Sequence, residues 1–309
     1  MAPGRHPAAL WKPLNNLLLG VGFGLVTASI LALSAVALSL QYSVSNVPNF
    51  AHGELMTVGA YAAYVAQQST HSIPVEIIAA VLTGGALGFS INFFLLQPFV
   101  KRGARNLTLF VLTIATSIIV QSALQFIFTG ANVAFTAPNE KASQIGPFLL
   151  TTQSQQIILS ALGVMIVLYV LIKYTKFGKA QRAVADSREL ARLTGINAAW
   201  IVHISWLISG LIAGFAGYVL ATSVGSFGAQ FGFGFLLPTF AAAILGGIGK
   251  PNGAVLGALV VGVSMEVSAL YIPPNYKQSV AFVLLIATLL VRPNGILGVV
   301  RAPQTGQAA

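Results

Sequence analysis

Long apolar runs separated by short polar segments dominate the chain. The runs fall at about residues 14–40, 51–67, 75–97, 107–129, 155–172, 200–222, 235–248, 254–271 and 278–291. Most approach the roughly 20 residues that an α-helix needs to cross a bilayer. They are continuous, whereas outer-membrane strands alternate over segments of ~10 residues. The pattern predicts an all-α, polytopic helical membrane protein with about eight to nine transmembrane segments, some of them short or re-entrant.

Two of these runs, 51–67 and 235–248, are short for a span and begin among polar, proline and glycine residues. The first opens with "NVPNFAHGEL" and the second lies in "GFGFLLPTFAAAILGGIGKPNG". Interrupted helices occur at membrane depth only where they lie within protein or line a cavity, and paired interrupted segments are typical of transport sites. Both stretches contain Pro-x-Phe-Ala, so an internal duplication is one hypothesis.

Composition supports a single membrane domain over residues 1–309. The chain is 56% hydrophobic and only 7% charged, with a mean hydropathy of +0.83. Soluble domains carry about 25% charged residues. Cysteine is absent, which excludes disulfides, thiol nucleophiles and cysteine metal sites.

The net charge of +10 comes from basic residues that cluster in loops. The positive-inside rule places "VKRGARN" around 101–105 and the long loop 173–199 in the cytoplasm, with 130–154 outside and Arg292 and Arg301 inside. We therefore expect a multi-pass protein of the inner (cytoplasmic) cell membrane whose partner is the lipid bilayer, with no nucleic-acid role.

The N-terminal topology stays open at this level. If 51–67 crosses fully, the N-terminus with Arg5 and Lys12 lies outside, against the charge rule. If 51–67 is re-entrant, the N-terminus lies inside. The run 14–40 is too long for the apolar region of a cleaved signal peptide and fits a retained span better.

Four polar residues, Asn46, Asn49, His52 and Glu54, lie within nine positions of one apolar region. A buried carboxylate without a partner is costly, so Glu54 must face water or a partner, and His52 is the nearest candidate. One interpretation is a broken helix that handles a polar solute. The other is the aqueous end of a helix, with Asn46 or Asn49 as its N-cap.

Further polar residues lie inside later runs. Gln121 and Gln125 are four apart on one helical face, where hydrogen bonds between helices are the alternative to a solute-binding role. Glu266 lies in the middle of the run 254–271 and is the second acid expected to point inward.

The loop 173–199 contains "DSRELARLTGI", which predicts a short capped helix. Asp186 is a good N-cap, Glu189 three residues later completes a capping box, and Gly195 is a natural stop.

This short helix has an apolar edge at Leu190 and Leu193, while Arg188 and Arg192 lie on its other side. Such a helix suits docking into a partner's groove, or alternatively lying on anionic lipid headgroups. The candidate partner-coupling residues are Arg182, Asp186, Glu189, Leu190, Leu193 and Gly195.

No catalytic or cofactor motif is recognisable. "GGIGKPNG" lacks the spacing and the Ser/Thr of a phosphate-binding loop, and the four histidines show no metal-ligand spacing. The single aspartate lies in the loop 173–199. We therefore expect no enzyme activity, no metal and no cofactor, and uphill transport would draw energy from a bound partner or an ion gradient.

Four stretches carry a family resemblance: "NFAHGELMTVGAY", "FGKAQRAVADSRELARLTGIN", "AAILGGIGKPNGAVLGALVVG" and "RPNGILG". In this order they resemble the permease subunit of branched-chain amino acid ABC transporters, over about residue 14 to Gly298. "ELARLTG" also resembles the coupling loop of many ABC permeases. "SLQYSVSNVPNF" departs from the family, where a glycine-rich approach is more usual.

The resemblance implies an importer of branched-chain or other hydrophobic amino acids that works by alternating access. It implies four kinds of partner: a second related permease, two cytoplasmic ATP-binding subunits, an extracytoplasmic solute-binding protein and lipid. There are two alternatives. One is a permease for urea or short amides, and the other is an ion-coupled secondary transporter that uses Glu54 or Glu266. The substrate-path candidates are Asn46, Asn49, Phe50, His52, Glu54, Gln121, Gln125 and Glu266.

Overall fold

A computed structural model describes residues 8–135, 143–145, 148–292 and 294–297 of the chain. Arg5 and Arg301, which entered the topology argument, lie outside the described residues, as do Pro293 and Gly298 of "RPNGILG".

Each predicted apolar run forms a helix. The helices are α1 Ala8–Ser45, α2 His52–Thr70, α3 Ile73–Ser90, α4 Gln97–Lys101, α5 Asn106–Ile127, α6 Thr152–Tyr174, α7 Lys176–Asp186, α8 Arg188–Leu193, α9 Ala198–Val224, α10 Phe231–Gly246, α11 Pro251–Ser268 and α12 Lys277–Val291. A π-helical segment, Ile91–Leu96, joins α3 to α4, and Pro274–Tyr276 is a 3₁₀ turn.

Short strands lie in the loops between these helices. They are β1 Val133–Ala134, β2 Ser143–Ile145, β3 Phe148–Leu150 and β4 Ser226–Phe227, paired antiparallel as β1 with β4 and β2 with β3. Seven helices within the described ranges are long and apolar enough to cross a membrane. With the shorter or more polar α2 and α10, this confirms the predicted polytopic helical class.

The helices form a buried centre and an apolar periphery. In both α1 and α9 72% of the spanning residues are buried, against 22% in α5, 17% in α6 and 6% in the span that contains α12. A helix that is hydrophobic on every side belongs either to a core or to lipid, so the apolar pattern alone does not separate these two groups.

Glycines bring α2, α3 and α9 into close contact. A Cβ built on Gly84 would lie 2.6 Å from the Gly210 carbonyl oxygen, and one on Gly59 would lie 2.6 Å from that of Gly214. A Cβ on Gly214 would clash with the carbonyl oxygen of Ala80. Small residues four apart let helix backbones approach in this way.

One end of the bundle carries the basic loops, and we call it the basic end, defined by Lys101, Arg102, Arg105 and the segment 173–199. A cavity of about 100 Å³ there is lined by Ser45, Ala104 and Arg188, among others. The last turn of α1 therefore lies at the basic end.

The opposite end of the bundle holds the first half of α1. Thr27 of α1 donates to Glu266 over 2.9 Å, and Lys277 at the start of α12 pairs with the same carboxylate at 2.6 Å. α1 therefore runs from this end toward the basic end. This direction supports the topology in which α1 begins on the side away from the basic loops.

The segment 173–199 holds two helices where the sequence predicted one. Ser187, not Asp186, caps α8, because Asp186 is the last residue of α7 and the Ser187 hydroxyl accepts from the Leu190 N–H. The predicted stop is confirmed: Gly195 has φ +83°, and the N–H groups of Gly195 and Ile196 bond back to Arg192 and Ala191.

The short run 235–248 lies in α10, which contains Pro238. A proline removes the hydrogen bond to the residue four positions earlier. The carbonyl of Gly234 instead accepts from Gln278 Nε2 at 3.3 Å. Pro48 precedes α2, whereas Pro238 lies inside α10, so the shared Pro-x-Phe-Ala does not mark equivalent positions.

The α9 contact predicts opposite effects for two identical substitutions. Gly214→Ala should destabilise the protein by about 1–3 kcal/mol, because its methyl group meets backbone. Gly163→Ala on α6, where a Cβ meets nothing within 4 Å, should be neutral or stabilising, since alanine favours helix over glycine by about 1 kcal/mol. The measurement is the thermal midpoint of the detergent-solubilised protein. Equal midpoints for the two variants would contradict this packing.

Candidate functional site

The centre of the bundle contains a break between α1 and α2, residues 46–51, which we call the break. Asn46 has a left-handed φ of +53°, and Pro48 lacks a backbone donor. His52 at the start of α2 contacts Ser34, which lies eleven residues before Ser45. At ~1.5 Å per residue, α2 begins about 16 Å from the basic end, close to the middle of a ~30 Å membrane core.

Side chains satisfy the backbone groups that the break leaves unpaired. The Phe50 N–H donates to Thr113 Oγ1 on α5 at 3.2 Å, and the Ala51 N–H donates to Asn49 Oδ1 at 3.0 Å. Asn49 therefore accepts a backbone N–H at the helix start, as predicted for an N-cap, although the residue at the N-cap position is Ala51. Irregular backbone at this depth is tolerated because protein groups replace water as its partners.

A buried polar seam joins α1 to the break. Asn49 donates to Gln41 Oε1 at 2.9 Å, and both side chains are buried. His52 Nε2 lies 3.1 Å from the Ser34 carbonyl oxygen, and the Ser34 hydroxyl lies 3.0 Å from Thr239 Oγ1 on α10. The seam therefore ties α1, α2 and α10 together at one level.

Glu54 faces α5 and not His52. Ser117 donates to its carboxylate at 3.0 Å. The expected His52–Glu54 pairing is wrong, because residues two apart on a helix point roughly 200° apart around its axis. The sequence correctly required a partner for this acid but named the wrong one.

The first turns of α2 and α10 cross closely. A Cβ on Gly53 would lie 2.6 Å from the Gly232 carbonyl oxygen, and the Gly232 N–H donates to Thr57 Oγ1 at 3.0 Å. Phe50 lies beside this crossing, with ring centroids 5.1 Å from Phe110 and 5.2 Å from Phe240. Helix starts favour carboxylates and an aromatic wall favours apolar groups, a combination suited to a zwitterion with an apolar side chain.

Burial differs sharply among the predicted path residues. Asn49, His52 and Glu54 are at most 1% exposed, whereas Phe50 is half-buried and Asn46 is exposed. Asn49, His52 and Glu54 are therefore sealed within the protein in this conformation.

The remaining predicted path residues lie elsewhere. Gln121 is half-buried and Gln125 is exposed near the end of α5, and Glu266 is held by Thr27 and Lys277. The structure does not bring these three together with Glu54.

Several site residues escaped sequence reasoning. Ser34, Thr113, Ser117 and Thr239 are single hydroxyls in apolar helices, where such residues usually bond only to their own helix. Gln41 gave a stronger signal, since an amide inside an apolar run requires a partner. Glu76 on α3 is a further buried acid of this kind: it is only 4% exposed and lies beside Tyr218.

The predicted coupling residues occupy the surface of the basic end. Leu190 and Leu193 on α8 are 65% and 83% exposed, while Ala191 between them is buried. Asp186 and Glu189 are exposed, and Arg182 donates to the Ile172 carbonyl at 3.0 Å. Across the described part of the chain no group of His, Asp and Glu side chains has the arrangement of a metal site.

Comparison with known proteins gives consistent matches. The family model described as "Branched-chain amino acid transport system / permease component" matches residues 20–289. The permease protein LivH of a high-affinity branched-chain amino acid transport system from Salmonella typhimurium is 30% identical over 295 residues, covering 89% of this chain and 93% of its own. The corresponding BraD from Pseudomonas aeruginosa is 32% identical over 289 residues, covering 89% and 94%.

An archaeal relative extends the similarity. A probable branched-chain amino acid transport permease protein from Methanocaldococcus jannaschii is 30% identical over 305 residues, covering 94% of this chain and 95% of its own.

The seam predicts that Asn49→Leu destabilises the protein, because it leaves Gln41 Oε1 and the Ala51 N–H buried without partners, at about 1–3 kcal/mol for each group. Asn46→Gly is the matched control, since glycine adopts a positive φ without strain and Asn46 is exposed. Thermal unfolding in detergent measures both. An unchanged midpoint for Asn49→Leu would show that the seam contributes nothing.

Proposed function

The chain belongs to the family of branched-chain amino acid transport permease components, and on that premise we propose that it imports branched-chain or other hydrophobic amino acids as the permease subunit of an ATP-driven transporter. Its relatives bear names of that transport class. The observation that carries a transport role is the pair of short helices, α2 after the break and α10 with its internal Pro238, whose first turns meet near the middle of the bundle.

The partners are proposed on the same premise. They are a second related permease, two cytoplasmic ATP-binding subunits and an extracytoplasmic solute-binding protein. The sequence supports this division because it has no nucleotide-binding loop of its own. The single domain of residues 1–309 then acts as a permease without enzyme activity, multi-pass in the inner (cytoplasmic) cell membrane, with the basic end inside.

The proposed path runs between α2, α5 and α10. Asn49, Phe50, His52 and Glu54 form its middle, with Asn46 toward the basic end. Gln121 and Gln125 on α5 lie toward the opposite end and form its outer part, and Glu266 on α11 would contribute at that end from beside α1 and α12. Burial of the middle residues suits a closed conformation, so alternating access requires α2, α5 or α10 to move apart.

The segment 173–199 is the proposed coupling element. Leu190 and Leu193 are apolar and exposed on a helix that ends in a defined stop. A short rigid helix with two exposed leucines suits a hydrophobic groove in a partner. Arg182, Asp186 and Glu189 would support its position and Gly195 its C-terminal stop, and closure of the ATP-binding subunits would move it.

Reconstitution tests the proposed function. The chain is placed in lipid vesicles with the second permease, the ATP-binding subunits and the binding protein encoded beside it, and uptake of labelled leucine is measured. We expect uptake that requires ATP and binding protein and persists with a protonophore. Uptake that collapses with the proton gradient at constant ATP would establish an ion-coupled transporter instead. Uptake of urea without leucine would establish an amide permease.

Leu190→Asp should abolish solute-stimulated transport, reducing it roughly tenfold or more, because an unpaired carboxylate in an apolar interface costs several kcal/mol. Membrane insertion should be normal, since Leu190 is 65% exposed. Leu190→Met, which keeps an apolar side chain, is the control and should retain transport. Uptake and co-purification of the ATP-binding subunits are measured together. Normal uptake by Leu190→Asp would refute docking at this helix.

A further inference from the structure

The segment 173–199 is bonded directly to the last turn of α1. The Arg188 guanidinium on α8 donates to the Val44 carbonyl through Nε at 3.1 Å and also through Nη2. On the preceding helix, α7, Gln181 donates to Ser43 Oγ at 2.9 Å. The Gln181 side chain is buried, with only 3% of its surface exposed. We call these bonds the latch.

The latch holds carbonyl and hydroxyl groups immediately before the break. Helix ends leave their last carbonyls unpaired, and cationic side chains are favourable there. Burial, and to a smaller degree the charge of Arg192, lower the pKa of Arg188. The guanidinium therefore gives up hydration to hold this one carbonyl, although it remains charged.

Movement of the segment 173–199 could also pass along the chain itself, into α6 on one side and α9 on the other. Arg182 of α7 adds a hydrogen bond to the Ile172 carbonyl of α6. Only 17% of the α6 span is buried, so its movement would displace little of the site. By contrast, α1 carries Ser34 and Gln41, the partners of His52 and Asn49. Unlike the α6 route, the latch therefore reaches the helix that holds the partners of the break.

Space for movement lies beside this route. The cavity of about 100 Å³ at the basic end is lined by Ser45, Val47 and Arg188, together with Asn92, Gln97 and Asn106 among others. Close-packed interiors resist displacement, so a void next to the first residues of the break lets them shift without moving the whole bundle.

We propose that Arg188 is a positioning residue that carries movement of α8 to the break through the last turn of α1, so that α7, α8 and the end of α1 move as one body. This proposal rests on the proposed function and adds its route of transmission.

The first test compares two arginines of the same helix. Arg188→Gln in the reconstituted transporter should lower transport roughly tenfold, as expected for loss of charged hydrogen bonds, while assembly and basal ATP hydrolysis stay within about twofold of wild type. Arg192→Gln, on the exposed side of α8, should transport at about the wild-type rate. Arg188→Lys, which keeps one charged donor, should recover part of the loss. Wild-type transport by Arg188→Gln, or equal losses in both glutamine variants, would overturn the proposal.

The second test does not depend on the stability of Arg188 variants. Because the chain has no cysteine, Ser43→Cys and Gln181→Cys provide a unique pair for a short, reversible bis-methanethiosulfonate crosslinker. Crosslinking should leave transport within about twofold of the reduced sample, since the bonded groups already move together. Loss of transport that returns on reduction would show that α7 must move relative to α1 and would overturn the proposal. The single-cysteine variants are the controls.

Failure of the proposed function is distinguishable from failure of the latch. Both tests are expressed relative to wild-type transport, so a wild-type complex without ATP-dependent uptake rejects the function, and a latch variant that matches an active wild type rejects only the latch.

Discussion

A break in a helix at membrane depth exposes backbone groups that lipid cannot satisfy, and most of the architecture around residues 46–51 answers that constraint. Thr113 of α5 pairs with the Phe50 N–H, Asn49 with the Ala51 N–H, and Arg188 of α8 with the Val44 carbonyl. Helix α5 therefore contacts the end of the break, and α8 contacts the helix end just before it. α1, which leads into the break, is itself buried, and it packs mainly against α9 and α11.

The need to pair backbone groups at membrane depth also explains the contrast between α2 and α10. α2 is preceded by irregular chain and needs several side chains to complete its start. α10 stays helical through Pro238, and the carbonyl that this proline leaves free is taken by one residue, Gln278. Glycines at the α2–α10 crossing then allow the two first turns to touch. The centre is consequently tightly packed and polar, while α5, α6 and α12 can remain apolar toward their surroundings.

The sequence predicted the helices, because apolar runs of membrane length have few alternatives, and it located the break through four polar residues in nine positions. It did not predict the partners. Whether Glu54 points at His52 or at Ser117 depends on which helix packs against that side, and nothing local to "NFAHGEL" encodes α5. The N-cap of α8 is Ser187, one residue after the predicted Asp186, for a related reason. Helix α7 extends through Asp186, so Ser187 is the first residue free to cap α8.

A permease without its own nucleotide site receives energy only as displacement of its surface, and displacement spreads through contacts that resist deformation. The exposed edge of α8 and the buried break are far apart in sequence, yet Arg188 spans them with hydrogen bonds to one carbonyl. A carbonyl at a helix end is well suited to this use, because its lone pairs need a donor in any case. One side chain on the basic loop thereby completes α1 and connects the loop to the residues that begin α2.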